Sequence, residues 1–325
     1  MPSRPTDLIF TVLASVSAVL AAISLLDVGH VVALLQAAAP TAGVLVLLFA
    51  VVAVVRRRWW ASLVATASSA ALIVPAVSLP PEPVTPGDQH LSVLASNTFY
   101  GHVDAARLIE EVDARDVDVL VMPEMSDRFW QRLQDLGLLE RLPYVMGRTG
   151  GGRGMIIATR EPFTCVEVPS AGKCGVVLTG DDTLPWSVDA QGKPTFDQIV
   201  VDLADGTRLK GMHLWSPRVW PPGRWREQQG QMREWIEAQP TNRPLVLAGD
   251  FNAGPSHPVF RRYSAGLEDS PRGEFPWTAT WPKFGPFGPL THIDHVLARD
   301  WRVQDSETIA IPGSDHRAVW TLLTR

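Results

Sequence analysis

The sequence has no excess of basic residues. Its 325 positions carry 29 lysines and arginines against 34 aspartates and glutamates, a formal charge of −5. A protein that holds nucleic acid purely through its electrostatic field usually shows the opposite balance, so that class is disfavoured. A nuclease is not excluded, because a bound divalent cation changes the local field at a site. Cysteine is scarce too. The two present, Cys165 and Cys174, fall on what reads as a hairpin or loop, where either a disulfide of an exported domain or two free thiols would fit. There is no internal repeat, and no low-complexity tract besides one proline-rich stretch. Gly150-Gly151-Gly152 lacks the strand-to-helix setting of a nucleotide-binding loop, which leaves a flexible tip.

The first 79 residues have few charged side chains. Residues 1–88 hold only four arginines and four acidic residues, so the remainder, with 25 basic and 30 acidic residues, carries the whole net charge. Three apolar runs follow one another, at about 8–28, 31–55 and 59–79. Each is long enough to cross a hydrocarbon core of ~30 Å as a helix. Their middles hold no ionisable residue, so an ion or proton path is not suggested. Gly29-His30 joins the first two runs tightly. Arg56-Arg57-Arg58 with Trp59-Trp60 has the composition of a cytoplasmic membrane interface. With Arg4 on the same side, three crossings put everything after Leu79 outside the cytoplasmic membrane, in an extracellular or periplasmic location. A cleaved signal peptide ending near Ala37-Ala38-Ala39 is the alternative, weakened by Asp27 and by the two further runs. Residues 80–89, opening Pro80-Pro81-Glu82-Pro83, read as a stiff extended linker.

From residue 90 to 325, short strand patterns alternate with helical ones. Strands are expected at Leu91–Ala95, Val117–Val121, Gly154–Ala158, Gln198–Leu203, Arg208–His213, Leu245–Ala248, Ile293–Leu297 and Ala318–Leu323. Helices are expected at Asp104–Ala114 and Arg224–Ala238, and Asp205-Gly206 marks a hairpin turn. This mixture predicts an α/β fold, a four-layer sandwich of two packed mixed sheets flanked by helices.

Polar residues gather at the strand ends: Asn97, Glu124, His213, Asp250 with Asn252, Asp294 with His295, and Asp315 with His316. Carboxylates and an amide oxygen are hard ligands suited to Mg²⁺ or Mn²⁺, whereas zinc would favour more histidine or cysteine. Histidines beside carboxylates suit acid–base work. A metal, an oriented histidine and several acceptors make a site for in-line attack of water on phosphorus. Each residue alone has an ordinary reading, as a turn residue, an exposed loop carboxylate or a structural histidine. His257, His292 and His295 are left in that class.

Leu245-Val246-Leu247-Ala248-Gly249-Asp250-Phe251-Asn252 closely resembles the strand-plus-GDFN motif of the endonuclease/exonuclease/phosphatase superfamily. Its companions follow in order: Ser96-Asn97, Pro123-Glu124, Met212-His213-Leu214, Ile293-Asp294-His295 and Ser314-Asp315-His316. The resemblance covers residues 90–325 and implies a Mg²⁺- or Mn²⁺-dependent hydrolase of phosphoric esters. It makes Glu124 the principal metal ligand, with Asn97 and Asp315 beside it. Asp250 would orient or deprotonate the attacking water, and Asn252 would bind a phosphoryl oxygen. His316 would face the scissile phosphate with Asp294 orienting it, and His213 would donate a hydrogen bond to the phosphate or protonate the leaving oxygen.

After His213, a span with Trp215, Trp220, Trp225, Arg218 and Arg224 reads as a substrate or membrane-surface loop, with Trp215 as a substrate-binding residue and Arg218 and Arg224 toward phosphate. The plainer reading packs Trp225 inward on the next helix and leaves Trp215 to shore up the site. A second aromatic loop carries Trp277, Trp281, Phe284 and Phe287. The expected substrate is a phosphoester, with a lipid-linked or envelope ester preferred to nucleic acid. An extracellular nuclease and a non-catalytic envelope binding module on the same fold are the alternatives.

Overall fold

The computed structural model describes residues 5–28, 30–77, 84–181, 183–218, 223–270, 278–283 and 288–325. Residues 80–83 of the proline-rich stretch and Trp220, Trp277, Phe284 and Phe287 of the aromatic loops lie outside these segments.

The apolar N-terminal part forms helices α1 (Pro5–Ser24), α2 (Val31–Ala37), α3 (Ala39–Val55) and α4 (Trp59–Ile73), the last extended by a 3₁₀ turn at Val74–Ala76. Among the described residues, two helical stretches are long and apolar enough to cross a membrane, Thr6–Ser24 and Trp59–Ala76. The expected middle span is not one helix: α2 and α3 meet at 62°. Pro40 in the first turn of α3 lacks the N–H that would bond back into α2, and its ring crowds the preceding turn. Buried Gln36 bonds the carbonyls of Ser24 (3.3 Å) and Leu26 (2.6 Å), satisfying groups left open at the end of α1. α3 and α4 pack through small residues, with Ser69 Oγ donating to Gly43 O at 2.8 Å.

The remainder contains fifteen strands and five helices among the described residues. In chain order they are β1 (His90–Ala95), α5 (Ala105–Ala114), β2 (Val119–Pro123), α6 (Asp127–Asp135), α7 (Leu138–Arg141), β3 (Tyr144–Arg148), β4 (Met155–Thr159), β5 (Phe163–Glu167), β6 (Val177–Leu178), β7 (Ser187–Val188), β8 (Pro194–Thr195), β9 (Ile199–Leu203), β10 (Arg208–His213), α8 (Arg224–Glu237), β11 (Leu245–Asp250), α9 (Pro258–Ser264), β12 (Glu268–Ser270), β13 (Asp294–Arg299), β14 (Arg302–Ile309) and β15 (Ala318–Thr324). One sheet runs β14-β15-β1-β2-β4-β3-β6 and the other β12-β13-β11-β10-β9-β5, while β7 and β8 form a small ribbon. Both large sheets are mixed, since β1–β2 and β10–β11 are parallel pairs among antiparallel neighbours.

Alternation along the strands builds the layers. On β1, Val93 and Ala95 face the second sheet's Leu209, Val246 and Val296, while Leu94 faces Leu108 of α5 and Phe129 of α6. The outer face of the second sheet, with Met212, Leu245 and Leu247, packs on Trp225, Met232 and Phe260 from α8 and α9. The result is helices, sheet, sheet, helices, each interface closed by apolar side chains at ~25 cal/mol per Å² buried. α6 was not expected from the sequence, although Phe129, Trp130 and Leu133 give it a buried face at helical spacing.

The N-terminal helices and the sandwich touch directly. Asp27 pairs with Arg226 (3.4 Å) and with Arg262, and Ala33 of α2 is buried in the cluster under the second sheet. Within the sandwich, Arg148 and Asp197 form a fully buried ion pair at 2.6 Å, and Asp197 also accepts from Ser187 Oγ at 2.6 Å. Removing one partner of such a pair costs ~3–5 kcal/mol, because the other charge stays buried alone.

Cys165 and Cys174 are joined as a disulfide that ties β5 to the loop before β6. Alkylation of the unreduced, denatured protein followed by mass spectrometry is expected to find neither cysteine modified. Quantitative labelling of both thiols would contradict the bridge.

Candidate active site

The strand order places the polar strand ends on one rim. β1 and β2 are parallel, so Asn97 and Glu124 leave the same edge of the first sheet. In the second sheet His213 pairs in register with Asp250, and Asp250 with Asp294, which lines three ionisable residues across neighbouring strands. Asp315 and His316 join them from the turn before β15. Gly249 permits this alignment: its φ is +136°, and a Cβ there would lie 2.2 Å from the Met212 carbonyl oxygen. Glu124 (φ 61°) and Asn252 (φ 48°) sit in the left-handed region, a strain of order 1–3 kcal/mol each that is common where side chains are aimed at a site.

A hydrogen-bond network fixes the rim. Asn97 Nδ2 donates to Glu124 Oε1 (3.0 Å) and Asp250 Oδ2 (3.2 Å). Asp250 Oδ1 accepts from the Asn252 backbone N–H at 2.8 Å, and Asn252 Nδ2 donates to Leu214 O (2.8 Å) and Asp250 Oδ2 (3.1 Å). Both oxygens of Asp294 meet His316 Nδ1, at 2.8 and 3.1 Å, and Asp294's own N–H reaches Thr280 Oγ1 at 3.2 Å. His316 Nε2 then faces Asp250 Oδ2 at 3.9 Å and Asp315 Oδ1 at 3.8 Å. His213 Nε2 lies 3.7 Å from Glu124 Oε1 and 4.0 Å from Asp250 Oδ2.

Burial and charge divide these groups by protonation. Burial, reinforced by the charge of Asp294, pushes Asp250 up to about 8. Glu124 is also raised, mainly by burial, against the stabilising hydrogen bond from Asn97. His316 is buried as well, which disfavours its cation, yet Asp294, Asp250 and Asp315 outweigh that and raise it to about 10. His213 has no carboxylate at hydrogen-bond distance; burial, then the His316 charge, pushes it down to about 3.

Three buried polar atoms on this rim have no hydrogen-bond partner: Glu124 Oε2, Asp315 Oδ1 and His213 Nδ1. Asp315 Oδ2, by contrast, is held by Trp281 Nε1 at 3.0 Å. Buried orphan oxygens of two carboxylates are the pattern a bound cation would complete. Ligand atoms of Glu124, His213 and Asp250 lie within 4.8 Å of one another, as do those of Asp250, Asp294 and His316. The donors are mostly hard oxygens, which fits Mg²⁺ or Mn²⁺ better than zinc.

A cavity of about 500 Å³ opens onto the rim. Glu124, His213, Asp250, Asn252, Asp315 and His316 line it, together with Arg218, whose guanidinium lies 4.6 Å from the centre of the Trp281 ring. Asn97 and Asp294 stand behind. Trp215 is nearly buried and does not line the cavity; it backs Phe196, with ring centres 4.6 Å apart. Arg224 is not brought to the rim either. It is buried against Asp189 Oδ2 (3.0 Å), Glu227 Oε2 (3.1 Å) and the Pro194 carbonyl, so its charge is already engaged. Trp225 packs inward on α8 with its Nε1 donating to Asn252 O at 2.8 Å.

His295 is enclosed between Asp269 (2.9 Å) and Ala253 O (3.1 Å), away from the cavity. His257, in contrast, does reach the cavity wall.

The sequence reading missed Phe196, Trp186 and Tyr100. Phe196 stacks on His213 at 4.4 Å, and Trp186 stacks on Phe196 and Trp215. Both aromatics flank the β7–β8 ribbon pinned by the Arg148–Asp197 pair, a partnership with no local signal. Gly150-Gly151-Gly152, expected as a flexible tip, lines the cavity with a 3₁₀ turn at Gly151–Arg153, and at Gly152 the Tyr100 ring leaves no room for a side chain.

The chain matches the model of the endonuclease/exonuclease/phosphatase family over residues 94–316. Solved structures of the same fold include Danio rerio TDP2 complexed with single-strand DNA product, at 16% identity and a TM-score of 0.52, covering 73% of this chain and all of that one. An endonuclease/exonuclease/phosphatase from Beutenbergia cavernae is 20% identical, with a TM-score of 0.50 over 73% of this chain and 72% of its own. A mutant of beta toxin from Staphylococcus aureus with bound magnesium ions is 14% identical, with a TM-score of 0.50 over 72% of this chain and 99% of its own. The curated proteins gave no match.

The two imidazoles of the rim should titrate far apart. In metal-free protein, nitrogen chemical shifts should show His316 protonated until about pH 10 and His213 neutral down to about pH 3. Because the fold holds the His316 proton more tightly than the unfolded chain does, this pairing stabilises fully below about pH 6.5 and is lost as pH rises through about 10. Asp294→Asn should bring the His316 midpoint down. Titration of His316 near 6.5 in the unsubstituted protein would contradict the geometry.

Proposed function

The chain belongs to the endonuclease/exonuclease/phosphatase family, and on that premise we propose that it is a metal-dependent phosphoesterase working at the outer face of a membrane. The observation that carries the reading is the His316–Asp294 pair facing buried Asp250 across a rim of orphaned carboxylate oxygens. Glu124, Asp315 and Asn97 would hold a Mg²⁺ or Mn²⁺, which supplies neutralisation of the charge that builds on the phosphoryl and leaving oxygens. His316 already carries its proton, so it acts as a donor to the phosphoryl group and not as the base. The proton of the attacking water therefore goes to the ionised form of Asp250, the carboxylate that a bound cation would favour, held in place by Asn97 and Asn252. Neutral His213, stacked on Phe196, donates a hydrogen bond to a phosphoryl oxygen. Arg218 at the cavity mouth supplies a further cation.

For the location, Arg4 and Arg56-Arg57-Arg58 would mark the cytoplasmic side, with α2 and α3 crossing as one broken span. A disulfide in the hydrolase domain suits an oxidising compartment. Single-stranded nucleic acid is the second reading, favoured by Trp186, Phe196 and Tyr100 in the cavity wall, rings on which a base could stack.

Hydrolysis of bis-p-nitrophenyl phosphate by the purified full chain tests the proposal. Activity is expected with Mg²⁺ or Mn²⁺ and none in excess chelator; full activity in chelator would sink the metal site. Glu124→Gln should weaken metal affinity, with excess Mg²⁺ partly restoring the rate. Asp250→Asn and His316→Ala should each lower kcat by about 10² or more, the usual scale for a positioned acid or base. His295→Ala should be much milder, and equal damage there would overturn the role given to His316.

A further inference from the structure

Part of the cavity wall comes from the anchor. Leu34 and Ala37 of α2 line the cavity beside Pro217 and His257. α2 is seated there by four polar contacts. Asp27, just before it, pairs with Arg226 on α8 and Arg262 on α9. His30 Nδ1 lies 3.1 Å from Pro217 O. Buried His257 takes a hydrogen bond from Gly254 N at Nδ1 (3.1 Å), so its proton is on Nε2, which donates to Ala33 O at 3.1 Å. Ala33 itself is packed with Met212 and Phe251, the neighbours of His213 and Asp250.

The next residue, Leu34, keeps 37% of its surface open in the cavity wall, on the side where α2 meets Pro217 and His257. An open leucine beside a phosphate site is a place for an apolar part of a ligand. At its other end α2 runs into α3, whose exposed Leu45, Leu48 and Val52 are surfaces a bilayer would cover.

Resting on the phosphoesterase reading, we propose that α2 is part of the substrate site. The chain hydrolyses an amphiphilic phosphoester, with its phosphate on the rim of His213, Asp250 and His316 and its hydrocarbon portion against Leu34 and Ala37. Water's oxygen bonds to phosphorus, the bond from phosphorus to the leaving alcohol oxygen breaks, and a proton ends on that alcohol. A polynucleotide threaded through the site is the poorer occupant, because it would continue on both sides of the reacting phosphate and one side here is closed by α2.

The test uses the full chain in detergent with Mg²⁺ and two probes sharing one leaving group, p-nitrophenyl methyl phosphate and p-nitrophenyl dodecyl phosphate. The dodecyl ester should be preferred in kcat/KM by tenfold or more, chiefly through KM. Leu34→Asn should cut that preference about tenfold, the scale of losing apolar contact in a pocket. Leu35→Asn, next on α2 but outside the cavity, should keep it. Turnover of the methyl ester reports that each variant is folded. Equal kcat/KM for the two esters in the unsubstituted chain, or a preference that survives Leu34→Asn, overturns the role of α2. Absence of turnover of either ester in the unsubstituted chain overturns the phosphoesterase reading beneath it.

Discussion

Four carboxylates converge on a rim that is largely closed to water. Glu124, Asp250, Asp294 and Asp315 approach one another there, and an isolated buried carboxylate would simply take up a proton. Three devices keep the group together. Asp294 is matched with the imidazolium of His316, Asp250 is held by two amides and keeps its proton to about pH 8, and Glu124 shares Asn97 with it. What these devices leave over, an oxygen each on Glu124 and Asp315, is the demand for a cation.

The rest of the fold serves to hold that rim. Two parallel strand pairs, one in each sheet, bring their ends to the same edge, and the apolar interior between the sheets fixes the distance from Asn97 and Glu124 to Asp250. Strain at Glu124 and Asn252 is tolerated because strands buried on both sides leave the turns no alternative. Around the rim, the wall is assembled from distant parts of the chain: Tyr100 and the Gly151–Arg153 turn, the ribbon with Phe196, the Trp281 segment, and α2 of the N-terminal helices.

How much of this could be read in advance depended on whether the signal was local. β2, β4 and β11 are continuous apolar runs ended by a polar residue, so strand, burial and strand-end chemistry were all legible at Val121, Ile157 and Ala248. β14 was missed because this edge strand, Arg302–Ile309, has only Val303 and Ile309 as apolar residues and no hydrophobic run. Partner choice left no trace. Arg224 showed its charge but not Asp189, 35 residues away, and Phe196 lay in a polar stretch whose fold rests on Arg148 meeting Asp197. Pro40 was visible within an apolar run, but hydropathy counts a proline as one residue while the helix loses its continuity there.

The account stands on a cation site whose occupation displaces a proton from its neighbour. Calorimetric titration of metal-free protein with Mn²⁺, repeated at pH 6 and pH 8 and in buffers of different ionisation heat, measures this directly. The account predicts saturable binding that strengthens toward pH 8 and releases protons at pH 6, because the cation favours ionised Asp250, with both features reduced in Glu124→Gln. Absence of saturable binding, or binding indifferent to pH and to Glu124→Gln, would contradict it.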